Sequence, residues 1–203
     1  MLRRTLNLAA LAAALLPAAG TAAAAVPGQP APDFTLTDTR GKTVRLADFR
    51  GRHVVLEWTN PGCPFVRKHY DSGNMQALQQ EAAGRGVAWL VINSTEPGHG
   101  DYLAPAQLQR WMDGQKAAAT ATLMDEDGRA GRAYAARVTP HMYLIDPQGR
   151  LVYAGGIDSI PSARAEDIPR ATNHVRVALG EALAGQPLSR PTSPAYGCSI
   201  KYR

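Results

Sequence analysis

His53-Val-Val-Leu-Glu-Trp58, followed by Asn60-Pro-Gly-Cys-Pro64, is the stretch that decides the fold. The first run is nearly continuous apolar, interrupted by Glu57, as expected of a central strand buried on both faces. Asn60-Pro-Gly62 then reads as a loop. Pro64 opens a helix predicted over 64–83, since proline is favoured where a backbone N–H would find no helical partner. Cys63 therefore falls at or near the helix N-cap. Unpaired N–H groups and the helix dipole favour a thiolate there. The alternative is an inert buried thiol, for which the mouth of a helix is an unsuitable place.

Working outward, Gly84 and Gly86 end the helix, and Val87–Ile92 is a second buried strand. A polar loop covers 93–101, a helix 106–116, a short strand 121–124 and another helix 128–136. Met142–Ile145 and Arg150–Gly155 are strands joined by the turn Asp146-Pro-Gln-Gly149. A closing helix is predicted over 167–184, followed by an irregular tail with Pro187, Pro191 and Pro194. Upstream, Phe34–Asp38 and Thr43–Leu46 alternate around Thr39-Arg-Gly41 and read as a β-hairpin. The strand–helix alternation in the middle demands parallel pairing, and the four-residue turn makes the last two strands antiparallel. The chain is thus read as α/β, with no repeats and no linker.

The remaining composition narrows the function. Met1–Arg4 is positive, Leu6–Leu16 is apolar apart from Asn7, and small residues follow at Thr21–Ala25. This reads as an export leader over 1–25, cleaved near Ala23–Ala25, with an apolar run too short to span a bilayer. The expected divisions are then a domain over 26–188 and a tail over 189–203 carrying Cys198. A net charge of +5 without a basic run gives no reason to expect nucleic acid. Two cysteines, Cys63 and Cys198, are too few for a disulfide framework, so the fold must rest on its core.

Ala31-Pro-Asp-Phe34, Val55-Leu-Glu-Trp-Thr-Asn-Pro-Gly-Cys-Pro64, Val138-Thr-Pro140, Tyr143-Leu-Ile-Asp146 and Tyr153-Ala-Gly-Gly-Ile-Asp158 occur together in order. With them the chain resembles the thioredoxin-like and peroxiredoxin-like redoxins of the alkyl hydroperoxide reductase/thiol-specific antioxidant superfamily. The resemblance runs from about Ala31 to about Gly185. It implies a thioredoxin fold: three layers, α/β/α, around a mixed central sheet, with the N-terminal β-hairpin as an extension. It also implies roles. Cys63 is the nucleophile. Glu57, six residues earlier, matches a buried carboxylate that relays protons, unless it is exposed or salt-bridged. Thr139-Pro140 matches the cis-proline loop lining the substrate groove, an ordinary trans-proline turn being the alternative, and Asn60 and Pro64 are counted with it as substrate-binding residues.

The sequence also departs from that pattern. Val66 stands where a thioredoxin has its second cysteine, which leaves Cys198, 135 positions on, as the remaining candidate to resolve Cys63. A structural disulfide and a free tail thiol are the alternatives. Asn60 and Pro140 occupy positions where peroxide-reducing relatives place Thr or Ser and Arg; Arg67 or Lys68 are the substitutes at hand. The expected function is an exported, periplasmic or secreted thiol oxidoreductase without metal or other cofactor and with no stable membrane anchor after leader cleavage. Its partners are thiol/disulfide proteins or small peroxides. The alternative is a redox-inert binding module of the same fold, with copper or zinc as cargo near Cys63, His69 and His141.

Overall fold

The computed structural model describes residues 25–203; the expected leader, apart from Ala25, lies outside them. Seven strands form one mixed sheet in the order β2-β1-β5-β4-β3-β7-β8. They are β1 Thr35–Asp38, β2 Thr43–Arg45, β3 Val54–Trp58, β4 Ala88–Asn93, β5 Ala121–Met124, β7 His141–Ile145 and β8 Leu151–Gly155. β3, β4 and β5 pair in parallel, with Val55 opposite Trp89 and Leu90 opposite Ala121. β7 and β8 run antiparallel on the other side of β3. The hairpin β1–β2 extends the sheet beyond β5, antiparallel to it.

Every residue of β3 and β4 is buried, which is why both runs are apolar without alternation. Val55, Trp89, Val91, Met142 and Leu144 face one helical layer. That layer holds α1 Pro64–Asp71, α2 Asn74–Gly84, α5 His174–Leu183 and the Trp111–Met112 end of α3 Pro105–Gly114. Leu56, Trp58, Leu90, Ile92 and Tyr143 face the other side, where α4 Arg129–Ala133 and the segment around Ala31 and Phe34 pack. The three layers and the mixed sheet make this a thioredoxin fold.

Three elements differ from the sequence reading. The helix expected over 64–83 is two helices, because Gly73 adopts φ +77, a left-handed conformation that separates α1 from α2. The closing helix begins at His174 rather than 167. Asn173 caps it by accepting from the Arg176 N–H at 2.9 Å, and Pro169 confines the preceding Ala165–Arg170 to a 3-10 turn. The tail is irregular except for β9 Cys198–Ser199, which pairs with a two-residue strand, β6 Val138–Thr139.

Candidate functional site

Cys63 is the N-cap of α1, with extended φ/ψ of −81° and 121°, and only 2% of it is exposed. Pro64 follows at the first helical position. The Cys63 carbonyl accepts from the Val66 and Arg67 N–H groups, each at 3.0 Å, so the first helical turn closes on this residue. Its thiol donates to the Thr139 carbonyl at 3.1 Å. Asn60 builds the loop beneath: its Oδ1 accepts from Gly62 N–H at 2.7 Å and its Nδ2 donates to Thr95 Oγ1 at 3.3 Å. The Thr139–Pro140 peptide is cis.

The tail returns to this point. In the antiparallel pairing of β6 with β9, Cys198 lies opposite Thr139, whose carbonyl holds the Cys63 thiol. Both cysteines are free thiols, Cys63 buried and Cys198 partly exposed. Burial first, then a hydrogen bond to Cys63 and the charge on it, push the Cys198 thiol up to about 12. The strand register thus makes the two cysteines neighbours, although 135 positions separate them.

Tyr196 anchors the tail two residues earlier. Its hydroxyl donates to Asp158, which also pairs with Lys68 Nζ at 3.1 Å. Lys68 and Asp158 have side chains 0% and 2% exposed, so the tail rests on a fully buried ion pair. The Tyr196 ring packs edge-on against Phe65 at 5.8 Å between centroids. Sequence reasoning missed this cluster. Asp158 stands in a motif that it quoted, but nothing in the local spacing joins Asp158 to Lys68.

Glu57 is 0% exposed and lies on the same face of the sheet as Cys63. Trp89 Nε1 donates to it at 2.8 Å, the Tyr70 hydroxyl at 2.9 Å and Gln79 Nε2 at 3.4 Å. Burial raises its carboxyl from 4.5 to about 7, against the opposing pull of those donors. No salt bridge reaches it among the described residues, and the contacts of its oxygens lead to these donors rather than to Cys63.

The other candidates are engaged elsewhere. Arg67 is exposed and pairs with Asp71 at 3.5 Å, and Lys68 is committed to Asp158, so neither is turned to Cys63. His69 contacts Asn74 Nδ2 through Nδ1 at 2.8 Å, and its Nε2 lies 3.7 Å from Asp158. His141 contacts the Tyr143 hydroxyl at 3.2 Å. Burial lowers both imidazoles to about 4. Among the described residues no three His, Cys, Asp or Glu side chains gather as a metal site would require. No helix among them is long and apolar enough to cross a membrane.

The AhpC/TSA family model matches residues 27–154, which spans the hairpin, the Cys63 loop and the cis-proline strand. The chain belongs to the AhpC/TSA family. Among curated relatives, this redoxin is similar to the thiol-disulfide oxidoreductase ResA of Bacillus subtilis, 24% identical over 132 residues. That alignment covers 62% of this chain and 64% of ResA. ResA of Halalkalibacterium halodurans is 26% identical over 132 residues, covering 64% of this chain and 69% of the relative. The chain therefore spans about two-thirds of the length of these relatives. Among solved structures, a conserved protein of Geobacillus kaustophilus superposes with a TM-score of 0.75 at 28% identity, covering 88% of this chain and 93% of the other. A thiol:disulfide interchange protein, DsbE, of Chlorobium tepidum shares the fold, with a TM-score of 0.51 at 23% identity over 64% of this chain and 85% of the other.

Proposed function

We propose that this redoxin is an exported thiol-disulfide oxidoreductase whose redox centre is the pair Cys63–Cys198. The observation that carries the reading is the register of β6 with β9, which sets Cys198 opposite the residue that holds the Cys63 thiol. The protein cycles between two thiols and one disulfide. In the oxidising direction the two sulfurs join, two protons leave, and the electron pair reduces a disulfide-bonded partner to its dithiol. Cys63 stands at the N-terminal, positive end of the α1 dipole, which favours negative charge there. Glu57, with a carboxyl near neutrality, is a proton store on the same face of the sheet. Thr139 and Pro140 form one wall of the site, and Asn60 and Pro64 form the other. Export to an oxidising compartment, periplasmic or secreted, is supported by the leader-like residues 1–25.

Mass spectrometry of the mature protein with and without reductant tests the pair: a mass two hydrogens lower, with a 63–198 crosslinked peptide, is expected after mild oxidation. Cys63→Ser and Cys198→Ser are each expected to lower the catalysed reduction of a disulfide-bonded protein at least 100-fold. Turnover unchanged in both variants would remove the reading.

A small peroxide as oxidant is a second reading, favoured by the burial of Cys63, which a two-oxygen molecule reaches more easily than a protein segment. Cys63 would take one peroxide oxygen as a sulfenic acid while the rest leaves as alcohol or water. Cys198 would then displace water to form the same disulfide. Trapping of a sulfenic acid on Cys63 in the Cys198→Ser variant at stoichiometric peroxide distinguishes this route.

A further inference from the structure

We infer that the cleft between the start of helix α5 and the base of the tail binds the phosphoryl group of a small phosphomonoester, with Arg190 and His174 as its principal donors. The cleft shares no residue with the Cys63 site and does not depend on the redox pair proposed above. It is a cavity of about 260 Å³, at the small end of ligand pockets. Ser159 enters it from the loop after β8, Thr172 from the turn before α5, His174 from α5 itself, and Ser189 and Arg190 from the tail. Among the described residues no carboxylate lines it.

His174 is the residue that points to a ligand. It holds the first position of α5 and is only 8% exposed, yet its ring has no hydrogen-bond partner among the described residues. A polar ring removed from water without a partner costs free energy, which a bound acceptor would recover. Burial, then the charge on Arg190, lowers this imidazole, with Asp158 opposing them. The ring is therefore neutral near pH 7 and has one N–H to donate.

Arg190 supplies the charge. It pairs with no carboxylate among the described residues, whereas Arg164, Arg170 and Arg176, in the segment leading into α5 and in its first turn, each do. Glu181 accepts from the Ser189 N–H at 2.9 Å and does not pair with Arg190. The hydroxyls add further donors. Ser159 Oγ accepts from the Thr172 N–H at 2.9 Å, so its own proton is free to donate. The positive end of the α5 dipole lies at the same point.

This set suits a phosphoryl group better than a carboxylate. A carboxylate brings two oxygens in one plane, and a single guanidinium satisfies both. A phosphoryl group brings three acceptor oxygens spread in space and more charge. Here the donors come from four separate segments around one cavity. Val177 and Ala178 line the same cleft, and Val177 is a large apolar side chain left 41% exposed. They offer the carbon group of an ester a surface to pack on, which a bare phosphate would not use.

The test uses the full mature chain and NMR at fixed pH and ionic strength, with the His174 ring resonances as reporter. Phenyl phosphate, inorganic phosphate and acetate are titrated in turn. Phenyl phosphate is expected to shift the His174 ring saturably, at least threefold tighter than inorganic phosphate and at least tenfold tighter than acetate. Arg190→Gln is expected to weaken phenyl phosphate at least tenfold. Arg129→Gln, on α4 across the sheet, is expected to leave it unchanged. No saturable shift, or equal losses in the two arginine variants, overturns the site. Acetate binding as tightly as the phosphates overturns the phosphoryl class. Inorganic phosphate binding as tightly as phenyl phosphate overturns the ester and the role of Val177 and Ala178. The three wild-type titrations stand without the variants should these not fold.

Discussion

Glu57 and Asp158 are both buried against helix α1, the first below Tyr70 and the second beside Lys68 and His69. Their surroundings are opposite. Glu57 has three neutral donors and, among the described residues, no counter-ion, so burial raises its carboxyl to about 7. Asp158 has a buried ammonium at 3.1 Å and a tail hydroxyl on its other oxygen. A buried carboxylate without a positive partner is a place to keep a proton. One with a partner is a place to fasten something, because the pair cannot separate without leaving an unpaired charge out of water. One helix thus carries a proton-holding group on one side and the tail's anchor on the other, with Cys63 at its start.

The largest expected effect breaks the anchor. Lys68→Met leaves Asp158 buried without its counter-ion and is expected to cost about 3–5 kcal/mol in urea unfolding. Adding Asp158→Asn to that variant is expected to recover much of the loss, because the stranded charge is then gone. A loss under about 1 kcal/mol in Lys68→Met would mean that the pair is not a structural anchor.

Glu57 is expected to show itself through pH. Its folded value, about 7, lies above the ordinary 4.5, so the folded chain holds this proton longer than the unfolded one. The contribution is therefore full below 4.5 and declines as pH rises through 7, by about 3 kcal/mol in all. Urea midpoints between these limits are expected to fall with pH in the wild type and to lose that slope in Glu57→Gln. Asp158→Asn is expected to keep the slope, which separates the two carboxylates.

The smallest effect sharpens the comparison at the tail. Tyr196→Phe removes one hydrogen bond to Asp158 and leaves the Lys68 pair in place, at a local cost of about 1–2 kcal/mol. Global unfolding is expected to move little. Hydrogen exchange at the Ile200 amide, bonded to the Arg137 carbonyl, is expected to speed up about tenfold as the tail opens. Unchanged exchange would show that Tyr196 does not hold the tail.

The sheet was legible where information is local. β5 falls on 121–124 as read, and the apolar runs around Val55 and Trp89 became the parallel centre because strands buried on both faces need no polar residues. The helix boundaries were less legible. Gly73 and Asn173 both carried signals, a left-handed glycine and an N-cap, but the apolar spacing on either side reads through them. Of the site, Cys63 before Pro64 and the position of Glu57 were readable from neighbours in sequence. The Lys68–Asp158–Tyr196 cluster was not, since its members lie on a helix, a loop after β8 and the tail.

By itself the sequence determined the alternating strand and helix order of an α/β frame, the helix that starts at Cys63 and the absence of a second cysteine within that helix. These follow from short-range causes: apolar periodicity, a proline that lacks an N–H, and the identity of residue 66. Only the tertiary structure decided where Cys198 goes. Its place depends on the register of a two-residue strand, on a glycine pressed against the Thr139 carbonyl, and on a tyrosine tied to a buried ion pair. Each of these joins segments far apart in the chain, and no local pattern specifies a contact whose partners meet only after the sheet and helices have packed.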